Sequence, residues 1–311
     1  MTDKSSKLFN PGRFDGALTE AHYVTGFLRA ALRKARDRLV RVLRTKHKDD
    51  DKAQVLSDKL DACEKHRRCL SGACPECARA AQRLFAETVG KSLEGLADGQ
   101  QIVCLSLVPM DGICKPNLLS TAQTGRHIRR WKDRLGRAGV DRFIGGLDIS
   151  FNEHEADLYP PHWSEHVYGV TVTTDIAELK KELRRQFPKS DSIPRPVKVK
   201  EWDGRASALD YLLKPNAWRR VGTDDGERFD KKTGTQRSCR ATDKQPLRSR
   251  QRARLALHLD DLGLQGRLVL RMCQFVNHGS NTAIKKRMSK TVGTKIVKGA
   301  KGRLKRPSRE L

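Results

Sequence analysis

Residues 143–151 read FIGGLDISF, and residues 165–173 read EHVYGVTVT. Side chains alternate along extended backbone, so Leu147, Ile149 and Phe151 fall on one face of the first segment and Gly146, Asp148 and Ser150 on the other. In the second, His166, Tyr168, Val170 and Val172 share a face. If the two strands pair across the intervening loop, Asp148 approaches His166. Working outward, QIVCLSLV (101–108) alternates and is β-branched, which predicts a strand. Residues 120–138 have helical periodicity, DIAELKKELRRQF (175–187) is an amphipathic helix capped by Thr174, and PVKVKEW (196–202) is a weak strand. ASALDYLLK (206–214) is a short helix stopped by Pro215. The order strand, helix, strand, strand, helix, strand, helix predicts an α+β fold with a ferredoxin-like, split βαβ antiparallel sheet. Two helices would cover one face of that sheet and leave the other for chemistry or nucleic acid.

Upstream, the chain changes character. Residues 1–16 read as a disordered lead, and residues 17–98 as a helical region interrupted by cysteines. Val24, Phe27, Leu28, Ala31, Leu32, Ala35, Leu39 and Val42 recur at spacings of three and four, with Arg29, Arg33, Lys34, Arg36, Arg38 and Arg41 around them. Those cations form either a solvated face or a phosphate-binding one. KHKDDDKAQ ends the element, and a second helix after Cys77 faces Ala80, Leu84, Val89 and Leu93 inward. Residues 99–220 form the predicted central domain. Residues 221–250 read as a basic mobile loop, 251–284 as a helix and a strand, and 285–311 as a basic disordered tail.

Four of the eight cysteines crowd between Cys63 and Cys77, in the stretch CEKHRRCLSGACPEC. Cys63, Cys69, Cys74 and Cys77 supply four thiolates for a tetrahedral zinc ion, with His66 as an alternative ligand. Four protein ligands leave no position for a catalytic water, so the predicted zinc is structural. Cys104, Cys114, Cys239 and Cys273 stand apart and carry no such signal.

The formal net charge is +26, which selects a polyanionic partner. The charge is spread along the chain rather than gathered in one amphipathic anchor, which favours nucleic acid over a membrane surface. In the tail, Lys285, Lys286, Arg287, Arg303, Lys305 and Arg306 are candidate phosphate contacts. No run of apolar residues is long enough to span a bilayer, and the first residues lack the apolar core of a secretion signal. The expected location is the cytoplasm of a prokaryotic cell, where clustered cysteines bind metal rather than form disulfides.

Chemistry concentrates in two places. YPPHWSEHVYGV (159–170) places His162, Glu165, His166 and Tyr168 close together, and a carboxylate beside an imidazole can hold a divalent metal with open positions. In the short helix, Tyr211 and Lys214 are three residues apart and share a face, so an ammonium stands near a phenol.

Taken together, these segments resemble the rolling-circle replication initiators, the Rep proteins of the HUH endonuclease superfamily. CLSGACPECARAAQRL is similar to the zinc knuckle that precedes the catalytic domain in many plasmid Reps, and IVCLSLV to their first motif strand. GGLDISFNEHE followed by WSEHVYGV resembles the acidic strand and the histidine strand, and DYLLKP the Y-x-x-K motif. The resemblance implies that Tyr211 is the nucleophile and Lys214 its assistant. It implies a catalytic Mg²⁺ or Mn²⁺ held by His166, with Asp148 as a further ligand. Tyr168 stands where the family has its second histidine, and His162 is the alternative donor.

The implied activity is nicking and rejoining of single-stranded origin DNA through a 5′-phosphotyrosine, with a host polymerase and helicase as partners. A single-strand transposase or relaxase with the same site is one alternative. A non-catalytic zinc-containing DNA- or RNA-binding regulator is another.

Overall fold

The computed structural model describes residue 9 and residues 11–19, 29–93, 100–190, 193–209, 211–215, 217–230, 234–278 and 281–286. The helical region comes first: α1 (Pro11–Thr19), α2 (Arg29–Lys46), α3 (Asp51–Asp61) and α4 (Pro75–Leu93). There follow β1 (Gln101–Leu107), β2 (Ile113–Cys114), α5 (Thr124–Arg137), β3 (Phe143–His154), β4 (His162–Thr173), α6 (Ile176–Gln186), β5 (Val197–Glu201) and α7 (Ala206–Leu209). The chain continues with β6 (Arg219–Asp230), β7 (Thr235–Gln245), α8 (Ser249–Gly266), β8 (Leu268–Arg271), β9 (Cys273–His278) and β10 (Asn281–Lys286). Among the described residues, no helix is long and apolar enough to cross a membrane.

The architecture is mixed α/β around one mostly antiparallel sheet with the strand order β5-β1-β4-β3-β6-β7. β1 pairs antiparallel with both β4 and β5, and β3 antiparallel with β4, with Asp148 opposite His166 and Gly146 opposite Tyr168. β6 joins β3 in parallel, while β2 and β8 add short antiparallel segments to β4 and β3. The two faces have different fates. Val103, Leu105 and Leu107 of β1, Leu147, Ile149 and Phe151 of β3 and Val167 of β4 pack under α5 and α6 with Trp131, Leu135, Leu179 and Leu183. This is the alternation expected of a half-covered sheet. The opposite face is only partly free. Ile144 and Val170 are buried in one cluster with Leu84, Phe85 and Val89 of α4, so the helical region covers one end of that face.

Glu165 is next to His166 but points to the α5 side, where it is fully buried. The Thr124 hydroxyl donates to it, His127 Nδ1 lies 2.6 Å from Oε2, and His258 of α8 lies 3.8 Å from Oε1. This polar cluster clamps β4 to α5 and α8. It satisfies a carboxylate whose burial without partners is costly.

Several expectations change. Pro11–Thr19 is helical rather than a disordered lead, and Phe14 and Ala17 are buried against the helical core. KHKDDDKAQ does not simply end an element. Asp50 caps α3, accepting from the backbone N–H groups of Lys52 and Ala53. Asp175 rather than Thr174 caps α6, accepting from Glu178 N at 2.9 Å. Residues 221–250 are not a loop: β6 and β7 form a long hairpin, and α8 begins at Ser249. The strand expected at RLVLRMCQF is split at Met272, which has φ 49°, into β8 and β9. Lys285 and Lys286 end β10, whereas Arg287, Arg303, Lys305 and Arg306 lie outside the described residues.

Candidate active site

A cleft of about 550 Å³ opens on the uncovered part of the sheet. Its floor is a run of alternating positions on four neighbouring strands: Lys198 and Lys200 of β5, Cys104 and Ser106 of β1, His166 and Tyr168 of β4, and Asp148 of β3. Its wall is the turn after α7, which contributes Tyr211 and Lys214, with Arg220 of β6 beside it. Residues separated by more than seventy positions therefore meet in one concavity.

Packing on β3 places the turn. Leu213 adopts φ 51° and lies on Gly146, where an added Cβ would sit 2.8 Å from Leu213 Cδ2 and 2.9 Å from Leu213 N. Arg267, buried behind the site, donates to the carbonyls of Leu147 at 3.2 Å and Lys214 at 2.7 Å, which ties the turn to the strand. Tyr211 remains half exposed. Its ring lies 5.4 Å from the Tyr168 ring, and Lys214 Nζ lies 5.1 Å from the Tyr211 ring centroid. Burial lowers the Arg267 guanidinium from its usual value, opposed by the charge of Asp148.

Asp148 and His166 form a pair, Nε2 to Oδ2, at 3.2 Å. Burial alone would raise the Asp148 carboxyl. The His166 ring together with Arg267 and Lys214 outweighs it and holds the carboxyl below the usual range. Burial pushes the Tyr168 phenol well above its ordinary value, and Cys104, Tyr211 and Asp203 push it the same way. Tyr168 is therefore a neutral hydrogen-bonding group at physiological pH.

The implied catalytic cation meets a poor donor set. Asp148 Oδ1 accepts from Ile149 N at 2.9 Å, and Oδ2 faces His166. His166 Nδ1 faces the Ser164 carbonyl at 3.3 Å. A neutral phenol is a weak ligand for a hard cation, which favours carboxylates and water. His162 is not at the site. It is four residues from His166, about 13 Å along an extended strand. Its Nδ1 turns to the Pro160 carbonyl at 2.9 Å, and its ring lies against Tyr159. Asp148 and His166 are thus the two donors brought together for the expected Mg²⁺ or Mn²⁺, and neither Tyr168 nor His162 completes the set.

The cysteines fit a metal well. The Sγ atoms of Cys63, Cys69, Cys74 and Cys77 all lie within 4.8 Å of one another, a set that can hold a metal ion such as zinc. Cys63 and Cys77 are 3.6 Å apart, Cys69 and Cys77 3.7 Å, and Cys63 and Cys74 3.7 Å. Zn–S bonds of about 2.3 Å give tetrahedral edges of about 3.8 Å. His66 is not a fourth ligand. It sits at φ 64° at the tip of the Glu64–Arg67 turn, with its ring 78% exposed and 3.8 Å from Asp15. Around the thiols, Arg68 bridges Asp15 and Glu76, and Arg36 reaches Glu76 at 3.0 Å and the Cys63 carbonyl. Arg36, one of the cations assigned to a basic face, is thus a structural contact.

The sequence reading missed Arg267, Arg220, Lys198 and Lys200. The two lysines had a signal, since PVKVKEW alternates and places both on one face. Arg267 and Arg220 had none. Comparison of the chain with known family models, with curated proteins and with solved structures gives no match.

Proposed function

We propose that the protein is a DNA nicking and joining enzyme of the rolling-circle initiator type, acting on single-stranded origin DNA of a plasmid or phage. One observation carries the reading: Tyr211 and Lys214 are packed onto the strand pair that bears Asp148 and His166, in one cationic cleft. The arrangement β5-β1-β4-β3, with α5 and α6 on one face, supports a split βαβ core. A structural zinc in the four-cysteine site would tie together the turn between α3 and α4 in the helical region.

In this reading Tyr211 Oη attacks the scissile phosphorus. The P–O3′ bond breaks, the phenolic proton ends on the departing 3′-oxygen, and a 5′-phosphotyrosine forms. Lys214 stabilises the phenolate character of the attacking oxygen. The freed 3′-hydroxyl primes a host polymerase, a helicase opens the duplex, and a second transfer reseals the strand.

The test is incubation with labelled single-stranded origin oligonucleotides. A covalent adduct that disappears in Tyr211→Phe supports the enzyme, and no adduct with any origin sequence sinks it. A transposase or relaxase would share the adduct and differ in the sequence cut. The second reading, a non-catalytic zinc-containing DNA- or RNA-binding regulator, is favoured by Tyr168 at the position of the second histidine. It predicts binding without an adduct.

A further inference from the structure

The cleft's charge and its donor atoms point the same way. Its lining holds Lys198, Lys200, Lys214 and Arg220 against Asp148, Glu201 and Asp203, and the buried Arg267 adds a further cation behind Asp148. Of the three acids, Asp148 is committed to His166 and Ile149 N, and Asp203 to Lys200 at 3.4 Å and to Arg205 N at 3.2 Å. Among the described residues, the four cysteines are the one group of three or more His, Cys, Asp or Glu side chains placed to share an ion. A dication held between Asp148 and His166 would lie beside the positive charges of Arg267 and Lys214, which oppose it.

We propose that the cleft transfers the strand without a divalent cation: Lys214 and Arg220 neutralise the scissile phosphate, and the Tyr168 hydroxyl donates a hydrogen bond to it. The inference rests on the nicking reading and specifies how that reaction is run. As Tyr211 Oη bonds to phosphorus and the P–O3′ bond breaks, a second negative charge builds on the non-bridging oxygens. Cations already lining a partly enclosed site oppose that charge, and the Tyr168 hydroxyl turns from Cys104 to join them. The phenolic proton leaves with the 3′-oxygen, so the step balances without a co-reactant. His166 and Asp148 hold each other on the floor beneath the phosphate, and Asp148 keeps Arg267, hence the Lys214 turn, in place.

The experiment uses the full chain with zinc in the cysteine site, in buffer stripped of other divalent cations by chelating resin. Two readouts are taken: adduct yield with a single-stranded origin oligonucleotide, with and without added Mn²⁺, and Mn²⁺ binding by electron paramagnetic resonance. The expected result is equal adduct in both buffers and no bound Mn²⁺. Lys214→Ala should lower the adduct rate about 10²–10³-fold, the scale of losing one charge-stabilising donor, with recovery in Lys214→Arg. Tyr168→His, which adds an imidazole beside His166, should gain one Mn²⁺ site. Adduct only with Mn²⁺, or Mn²⁺ bound by the unmodified protein and lost in Asp148→Asn, overturns the proposal. Absence of adduct in both buffers removes the nicking reading, and with it this proposal, whatever the resonance signal shows.

Discussion

Asp148 and Gly146 stand two residues apart on β3 and do different work for the site. The Asp148 carboxyl is held below its ordinary value by His166, Arg267 and Lys214 against its burial. A carboxyl depressed in the folded state contributes stability above its unfolded value of about 3.9 and loses it as pH falls through the folded value. Asp148→Asn should therefore be less stable than the parent at neutral pH and should have a flatter acid limb. Urea midpoints measured from neutral pH down to the acid transition check this, and parallel acid limbs would refute it. Gly146 works by absence. A Cβ there meets the backbone nitrogen of Leu213 at 2.9 Å, which no side-chain rotation relieves. Gly146→Ala should push the turn outward and cost about 10²-fold in adduct rate, the scale of an ångström-sized misplacement. Circular dichroism should stay close to that of the parent, and an unchanged adduct rate would show that the turn is not seated this way.

At the scale of elements, the knuckle between α3 and α4 joins metal chemistry to a buried ion network. Glu76 is almost fully buried and accepts from both Arg36 and Arg68. Glu76→Gln leaves those guanidinium groups short of a charge and should cost about 3 kcal/mol, read from urea unfolding at fixed zinc. Cys74→Ser should lose the bound zinc in native mass spectrometry, and a parent protein that is folded and metal-free would refute the metal claim. This element was legible because thiols at close spacing have few other uses. β1, β3, β4 and α6 were legible because their apolar residues recur at strand and helix periods, although β3 and β4 are buried on both faces over most of their length. The β6–β7 hairpin was not, because RRVGTDDGERFD and TQRSCRATDKQ lack apolar alternation and resemble a loop in composition. α1 escaped for another reason. PGRFDGALT has little intrinsic helix signal, and Phe14 is ordered by the pocket it enters beside α4, a tertiary fact. In the candidate site, Asp148 and His166 were readable at strand spacing. Tyr211 and Lys214 were readable only as residue types, since α7 ends at Leu209 and both stand in the turn after it rather than on the expected 206–214 helix. Arg267 was not readable, since its role lies in two backbone carbonyls brought to it by folding.

Over the whole molecule, 63 Lys and Arg residues oppose 37 Asp and Glu, yet the excess does not translate directly into phosphate contacts. Arg36, Arg68, Arg219 and Arg267 are spent on carboxylates or carbonyls inside the fold, and Arg44 on Asp58 at the surface. Lys198 and Lys200 line the cleft on the strand farthest from β6 and β7, and of the two Lys200 is paired with Asp203 at 3.4 Å. A single strand entering the cleft would cross them before it reached Tyr211. Each phosphate neutralised on single-stranded DNA contributes about −0.7 to the slope of log affinity against log salt. Lys198→Ala should therefore flatten that slope by about 0.7. Lys59→Ala, which removes a cation paired with Asp260 at 2.7 Å on the helical region, should leave it unchanged. Fluorescence anisotropy of a labelled oligonucleotide across a salt series measures both. Equal flattening in the two variants would mean that binding reports total charge and not this path, and a flat salt dependence in the parent would remove the polyanion from the account altogether.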